Sequence, residues 1–167
     1  DVQEALAEKY PQSSKDIGEV MYDLIKNDMR RMVLTEKRRI DGRKLDEVRP
    51  LSAEVQILPR SHGSALFQRG ETQALCVATL GNKMDEKMVD DLRGKAFKSY
   101  YLDYNFPSYS TNEVSFPRGP SRRDIGHGHL AEVAIAPVIP TVESFPYTIR
   151  LVADIQSSNG STSMATV

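Results

Sequence analysis

Arg122, Arg123 and His127 fall within one short stretch of the segment from Arg118 to Glu132. Pro120 and Pro137 bracket a helix expected over about residues 121–136. Ser121 suits its N-cap, with Asp124 three residues on as an imperfect capping box. Residues four apart share a helix face, so Arg123 and His127 point the same way. Arg122 sits about 100° round from its neighbour at the same end. Two guanidiniums and an imidazole make a donor-rich, positive surface, and the planar fork of arginine fits phosphate oxygens. Gly126 and Gly128 each cost about 1 kcal/mol against alanine inside a helix. Such glycines call for a reason, either close packing or close approach of a ligand. On these residues alone, a surface arginine pair beside a structural histidine fits as well. His127 and His129 diverge on a helix and make a poor metal pair.

A second cluster lies at Ser157-Ser158-Asn159-Gly160-Ser161-Thr162-Ser163. A strand runs out at Gln156, Asn-Gly turns the chain, and Ser161, Thr162 and Ser163 follow where a helix can begin. A helix start offers unpaired N–H groups and a positive dipole end, and no Glu or Gln stands three residues later to occupy it. An ordinary Asn-Gly turn with a hydroxyl cap reads the same residues without a ligand. Arg69, in the connection Arg69-Gly70-Glu71, either adds to the basic site or is a solvated turn residue. Arg38, Arg39 and Arg43 form a basic patch, and His62 has no identifiable partner in the sequence. Asp154, in mid-strand, reads as a structural ion pair before a metal ligand.

Elements that would carry these groups follow from periodicity. Apolar residues from Ile17 to Val33 recur at three- and four-residue steps, giving an amphipathic helix over 14–36. A weaker helix over 2–9 precedes Pro11. An Asp41-Gly42 turn then opens a run of strands. Leu51, Ala53, Val55 and Ile57 alternate with polar residues. Residues 63–68 and 72–80 make two more strands, and their close spacing argues for an antiparallel meander. A polar loop is expected over 81–95, a fourth strand over 97–105 and a last one over 147–156. Helix, strands, helix, strand is an α+β order.

Composition narrows the classes further. At 40% hydrophobic and 27% charged residues the chain is that of a globular protein. With no apolar run near the ~18 residues a bilayer requires, a membrane role is not expected. Net charge is -1, so any nucleic-acid contact must come from a local cluster. Cys76, the one cysteine, lies in an apolar run and reads as a small core residue; its solitude suits a reducing, cytoplasmic compartment. No start methionine or basic-then-apolar leader is present, so the N-terminus reads as an internal boundary. Gly-x-x-x-x-Gly-Lys loops, Gly-x-Ser-x-Gly elbows and zinc-spaced cysteines are all missing.

Taken in order, five blocks resemble the polynucleotide phosphorylase family, specifically its second ribonuclease PH-like core domain. They are Ile40-Asp41-Gly42-Arg43 with Leu45 to Pro50, His62 to Phe67 with Arg69 to Gln73, Tyr104-Asn105-Phe106-Pro107, Arg122 to Gly128, and Ser158 to Ala165. The resemblance implies an α+β, ribonuclease PH-like (ribosomal protein S5 domain 2-like) core, incomplete over 37–167, with residues 1–36 as the end of an α-helical linker. It implies a phosphate-dependent 3′-to-5′ exoribonuclease that releases nucleoside diphosphates and acts in mRNA turnover, with this piece inactive alone. By position, Ser161, Thr162 and Ser163 would bind inorganic phosphate. Arg122, Arg123 and His127 would be catalytic, and Arg122, Arg123 and Arg69 would hold single-stranded RNA. Mg2+ or Mn2+ would serve the full-length enzyme, on ligands beyond Val167. A homotrimer in the cytoplasm, with RNA-degradosome proteins as partners, completes the implied picture. Where the family often has Gly, Glu and Ser, this chain has Ser121, Asp124 and Thr162, all polar or capping. A ribonuclease PH or exosome-type ring subunit, or a non-catalytic RNA-binding ring subunit, are the alternatives.

Overall fold

The computed structural model describes residues 2–92, 94–116 and 119–167, so Arg118 lies outside the described residues. Two compact units emerge, Asp1–Val48 and Arg49–Val167.

In the first unit, α1 spans Val2–Ala7 and α2 spans Ser14–Arg31. The expected helix to residue 36 changes its winding at Met32, where a π-type turn runs over Met32–Glu36 and ends on Lys37 at φ 54°. Of the apolar stripe, Ile17, Met21, Met32 and Val33 are half-buried, whereas Val20, Leu24, Ile25 and Met29 are exposed. The Asp41-Gly42 turn forms as expected: Gly42 has φ +84° and donates to Arg39 O at 2.9 Å. Arg43 pairs with Asp41 and Arg38 with Glu36, whereas Arg39 donates to Leu45 O, so two of the three charges in this patch are paired locally.

The second unit is built on a five-stranded sheet. Its strands are β1 (Leu51–Val55), β2 (Gly63–Arg69), β3 (Thr72–Gly81), β6 (Tyr100–Asn105) and β7 (Thr148–Ser157), in the order β1-β2-β3-β7-β6. The β1-β2-β3 meander is antiparallel, and β7 adds antiparallel to β3. β6 lies parallel to β7 and is joined to it through α3 (Arg122–Ile135). One difference from expectation stands between β3 and β6. Residues 81–95 are no plain polar loop, because β4 (Lys87–Asp91) and β5 (Gly94–Lys98) pair as a separate two-stranded sheet. Met88 faces Phe97 and Val89 faces Ala96 across it; these neighbouring apolar pairs lie on opposite faces, so no period-two pattern marks the strands among Lys87, Asp90, Asp91, Lys95 and Lys98.

Register explains where the core sits. Side chains alternate across a sheet. The pairs Phe67–Ala74, Ala74–Ile155, Cys76–Ala153 and Tyr104–Ala153 therefore share one face. That face is covered by α3, which packs on β6, and by α4 (Thr162–Thr166), which packs on β3, β2 and α3. Ala74, Leu102, Tyr104, Ala131, Ala153, Ile155 and Ala165 are buried there. Cys76 sits on the same face, and burial, helped by Asp154, pushes its thiol up to about 11, so it stays a protonated core residue.

The two helix glycines differ. A Cβ on Gly128 would come within 3.3 Å of Tyr104 Cβ, so this glycine lets α3 press on β6. Gly126 faces open space. Gly126→Ala is therefore expected to raise stability by up to about 1 kcal/mol, read as a higher urea midpoint. An unchanged or lower midpoint would show a contact that the geometry does not contain.

Candidate functional site

Three elements converge on the helix-covered face of the sheet. The first is the β2–β3 hairpin. It turns at Gly70 (φ +58°) and sets Arg69 opposite Thr72, so both side chains lie on that face. They reach the same atom: Arg69 Nη2 donates to Gly160 O at 2.9 Å and Thr72 Oγ1 donates to it at 3.1 Å. Arg69 also reaches Ser161 O at 3.4 Å, and Thr72 Oγ1 accepts from Asn159 N at 2.9 Å. Asn159 Nδ2 bonds Glu71 Oε2 at 2.6 Å, and Ser158 N donates to Ser110 O at 2.9 Å.

What these bonds hold is the second element, the hydroxyl turn. Gly160 (φ +82°) and Ser161 (φ 50°, ψ 47°) both take the left-handed conformation, which glycine adopts freely and serine rarely. Ser161 is exposed and makes no side-chain cap bond to α4. Thr162 and Ser163 are buried, and the Thr162 hydroxyl lies 2.6 Å from Tyr104 Oη.

The third element is the start of α3. Ser121 and Asp124 form a full reciprocal capping box: Ser121 Oγ accepts from Asp124 N at 3.1 Å, and Asp124 Oδ2 accepts from Ser121 N at 2.8 Å. The shorter aspartate thus does what a glutamate usually does. Asp124 Oδ1 also accepts from Phe106 N at 3.1 Å, which ties the helix start to the end of β6. Arg122 and Arg123 are exposed. The Arg123 guanidinium lies 3.9 Å over the Phe106 ring, a cation–π contact that orients its fork. His127, one turn on, is half-buried and stands edge-on to Tyr104, with Nδ1 3.4 Å from Tyr104 Oη.

Tyr104 and Phe106 therefore join the two clusters that the sequence holds far apart. Their rings stack at 6.5 Å with 10° between planes. One carries Arg123, and the other touches both His127 and Thr162. From the sequence alone Tyr104 belongs to the strand over 97–105 and to one matching block, with no site role of its own. Its signal was the β6 alternation of Leu102, Tyr104 and Phe106, which puts all three on the helix side. Burial pushes the Tyr104 phenol above its ordinary range, against the opposing pull of Thr162 and Arg123, so it keeps its proton.

Other candidates fall elsewhere. Asp154 points to the opposite face of the sheet, where its Oδ1 accepts from Asn105 Nδ2 at 2.6 Å, an amide instead of the expected ion pair. His62 has a partner after all: its Nδ1 accepts from Leu80 N at 2.8 Å. His129 is exposed, apart from His127. Among the described residues no group of three or more His, Cys, Asp and Glu could hold a metal ion. No helix among them is long and apolar enough to cross a membrane.

Residues 47–167 match the family described as "3′ exoribonuclease family, domain 1". Residues 1–44 match "Polyribonucleotide nucleotidyltransferase, RNA binding domain". Among similar proteins is the polyribonucleotide nucleotidyltransferase of Desulfatibacillum aliphaticivorans, 55% identical over 166 residues, which cover 99% of this chain and 23% of that protein. Its namesake from Desulfitobacterium hafniense is 54% identical over 161 residues, 96% of this chain and 22% of the relative. That of Ruminiclostridium cellulolyticum is 52% identical over 167 residues, 100% and 24% respectively. The chain thus spans less than a quarter of the length of these curated relatives. A solved structure described as Archaeoglobus fulgidus exosome with RNA bound to the active site shares the fold. It has a TM-score of 0.62 at 17% identity, over 88% of this chain and 58% of that one.

Proposed function

The chain belongs to the 3′ exoribonuclease family, domain 1, through residues 47–167, and on that premise we propose that it forms one side of a phosphorolytic site in a longer polyribonucleotide nucleotidyltransferase. In this reaction an oxygen of inorganic phosphate attacks the phosphorus of the last 3′ linkage. The bond from that phosphorus to the 3′ oxygen of the penultimate nucleotide breaks. A nucleoside diphosphate leaves, and the RNA is one residue shorter.

The observation that carries this reading is that Tyr104 touches both His127 of α3 and Thr162 of the hydroxyl turn, while Phe106 beside it carries Arg123. In this reading the Ser161–Ser163 turn takes the phosphate on one side, with the Ser161 hydroxyl exposed and the turn pinned from behind. Arg122 and Arg123, exposed at the start of α3, take the other, with His127 one helical turn on. Arg123 is held by Phe106 before any ligand arrives, and such preorganised charge stabilises negative charge that develops on the phosphoryl oxygens. Bringing phosphate and the RNA end together is the larger share of the task. Arg69 was read as an RNA contact. Its half-buried guanidinium is engaged with Gly160 and Ser161, which supports a role in holding the phosphate turn.

The resemblance puts Mg2+ or Mn2+ on ligands beyond Val167, and among the described residues no group of three or more His, Cys, Asp and Glu could hold a metal ion, so no step here is routed through one. The same reading makes the helical unit before residue 37 a linker, and the whole protein a cytoplasmic homotrimer acting on single-stranded RNA 3′ ends in mRNA turnover, with RNA-degradosome proteins as partners. The match of residues 1–44 favours this over a ribonuclease PH or exosome-type ring subunit. The hydroxyl turn linked through Tyr104 to the helix that carries the arginine pair favours it over a subunit that only grips RNA.

A phosphate mimic soaked into crystals of the full-length protein tests the site directly. The anion is expected within hydrogen-bonding reach of the Ser161–Ser163 turn and of Arg122 or Arg123. An anion bound only at some other place in the core would sink the assignment.

A further inference from the structure

Tyr104 is 4% exposed, yet its hydroxyl sits between groups from two different elements: Thr162 Oγ1 at 2.6 Å and His127 Nδ1 at 3.4 Å. A buried hydroxyl needs its partners, and here they belong one to the phosphate turn and one to the arginine helix. We propose that Tyr104 is a positioning residue whose hydroxyl fixes His127 in the tautomer that carries its proton on Nε2, so that the imidazole turns an N–H donor toward the bound phosphate. This inference rests on the phosphorolytic reading for its ligand, though not for its geometry.

The direction of the chain follows from the strengths of the three groups. A phenol is a better donor than an aliphatic hydroxyl, and an imidazole nitrogen is a better acceptor than a hydroxyl oxygen. The matched arrangement sends Tyr104 O–H to His127 Nδ1 and Thr162 O–H to Tyr104 Oη. Which nitrogen of a histidine keeps its proton is decided by the bond its other nitrogen makes. With Nδ1 engaged as an acceptor, the proton stays on Nε2. A neutral donor there suits an anion already faced by two guanidiniums, since it adds a hydrogen bond without a third positive charge beside Arg122 and Arg123. Ring position is restrained as well as tautomer. The His127 ring stands at 71° to Tyr104, with centroids 5.4 Å apart, so the phenol ring limits its rotation. Gly128 is the next residue, and its missing Cβ is what allows this turn of α3 to approach Tyr104.

The test uses full-length protein labelled with 15N-histidine, in which the His127 imidazole signals are assigned by their loss in His127→Gln. In the parent, Nδ1 should show the shift of an unprotonated nitrogen and Nε2 that of a protonated one. In Tyr104→Phe the two signals should move toward a mixture of tautomers, and KM for inorganic phosphate should rise about three- to tenfold with a smaller change in kcat. A parent signal with the proton on Nδ1, or an unchanged signature in Tyr104→Phe, overturns the proposal. Should Tyr104→Phe lose its cooperative thermal unfolding, the parent signal still decides, since a proton on Nδ1 contradicts the proposed chain. Thr162→Val removes only the bond that Tyr104 accepts, so the proton should stay on Nε2; its move to Nδ1 in that variant would overturn the proposed direction. The tautomer is read without any RNA chemistry. A parent signature as expected in a protein with no phosphate-dependent activity would therefore count against the enzymatic reading alone.

Discussion

Phosphate-dependent shortening of RNA by the full-length protein should fall by about 10²- to 10³-fold when Arg122 and Arg123 are both replaced by alanine. The two side chains stand exposed at the start of α3, where the Ser121–Asp124 box fixes the helix and Phe106 fixes Arg123. Neither makes a core contact of the kind that holds Tyr104 or Ala131, so thermal unfolding should change little. The effect belongs in the chemical step and in binding of the RNA end. Measuring the release of nucleoside diphosphate against phosphate concentration separates the two: loss of transition-state stabilisation lowers kcat, and loss of uniform binding raises KM. Unimpaired phosphorolysis in the double variant, folded like the parent, would remove the arginine pair from the mechanism.

Thr72→Val should be nearly as damaging for a different reason. Thr72 is 1% exposed, and its hydroxyl both accepts from Asn159 N and donates to Gly160 O. Valine fills the same space and does neither. Gly160 O keeps Arg69, but the Asn159 N–H is left without an acceptor, which costs about 1–3 kcal/mol. The left-handed pair Gly160–Ser161 is a conformation that serine does not choose, so it depends on such anchoring. A loosened turn misplaces the hydroxyl cluster, and KM for phosphate should rise together with a fall in the urea midpoint. A variant that loses stability while its phosphate KM stays put would show that the turn is held well enough by Arg69 and Glu71.

Much of this was legible in the sequence, and the pattern of what was not has a physical cause. The strands β2, β3 and β7 and the helix α3 came from periodicity and proline brackets, because half-buried elements must show one apolar face. The arginine–histidine face of α3 followed from helical geometry alone, and the Asn159–Gly160 turn from its residue types. The β4–β5 hairpin was hidden because it stands as its own small sheet, and its few apolar residues sit side by side instead of alternating, crowded by charge. The joining role of Tyr104 was hidden because it is a relation among β6, α3 and α4, and spacing within one segment cannot reveal it. His62 and Asp154 are similar cases. Their partners, Leu80 and Asn105, are distant in the chain and become neighbours only through sheet register.

The bonds from Arg69 and Thr72 to Gly160 O span 91 and 88 positions of chain. Contacts that close so long a loop form late, because the entropy of closure is lost before any contact offsets it. During synthesis the β2–β3 hairpin leaves the ribosome first, and its two donors stay bonded to water until the turn emerges. A protein pulsed with phosphate during refolding is therefore expected to bind it only once both ends of that loop have met.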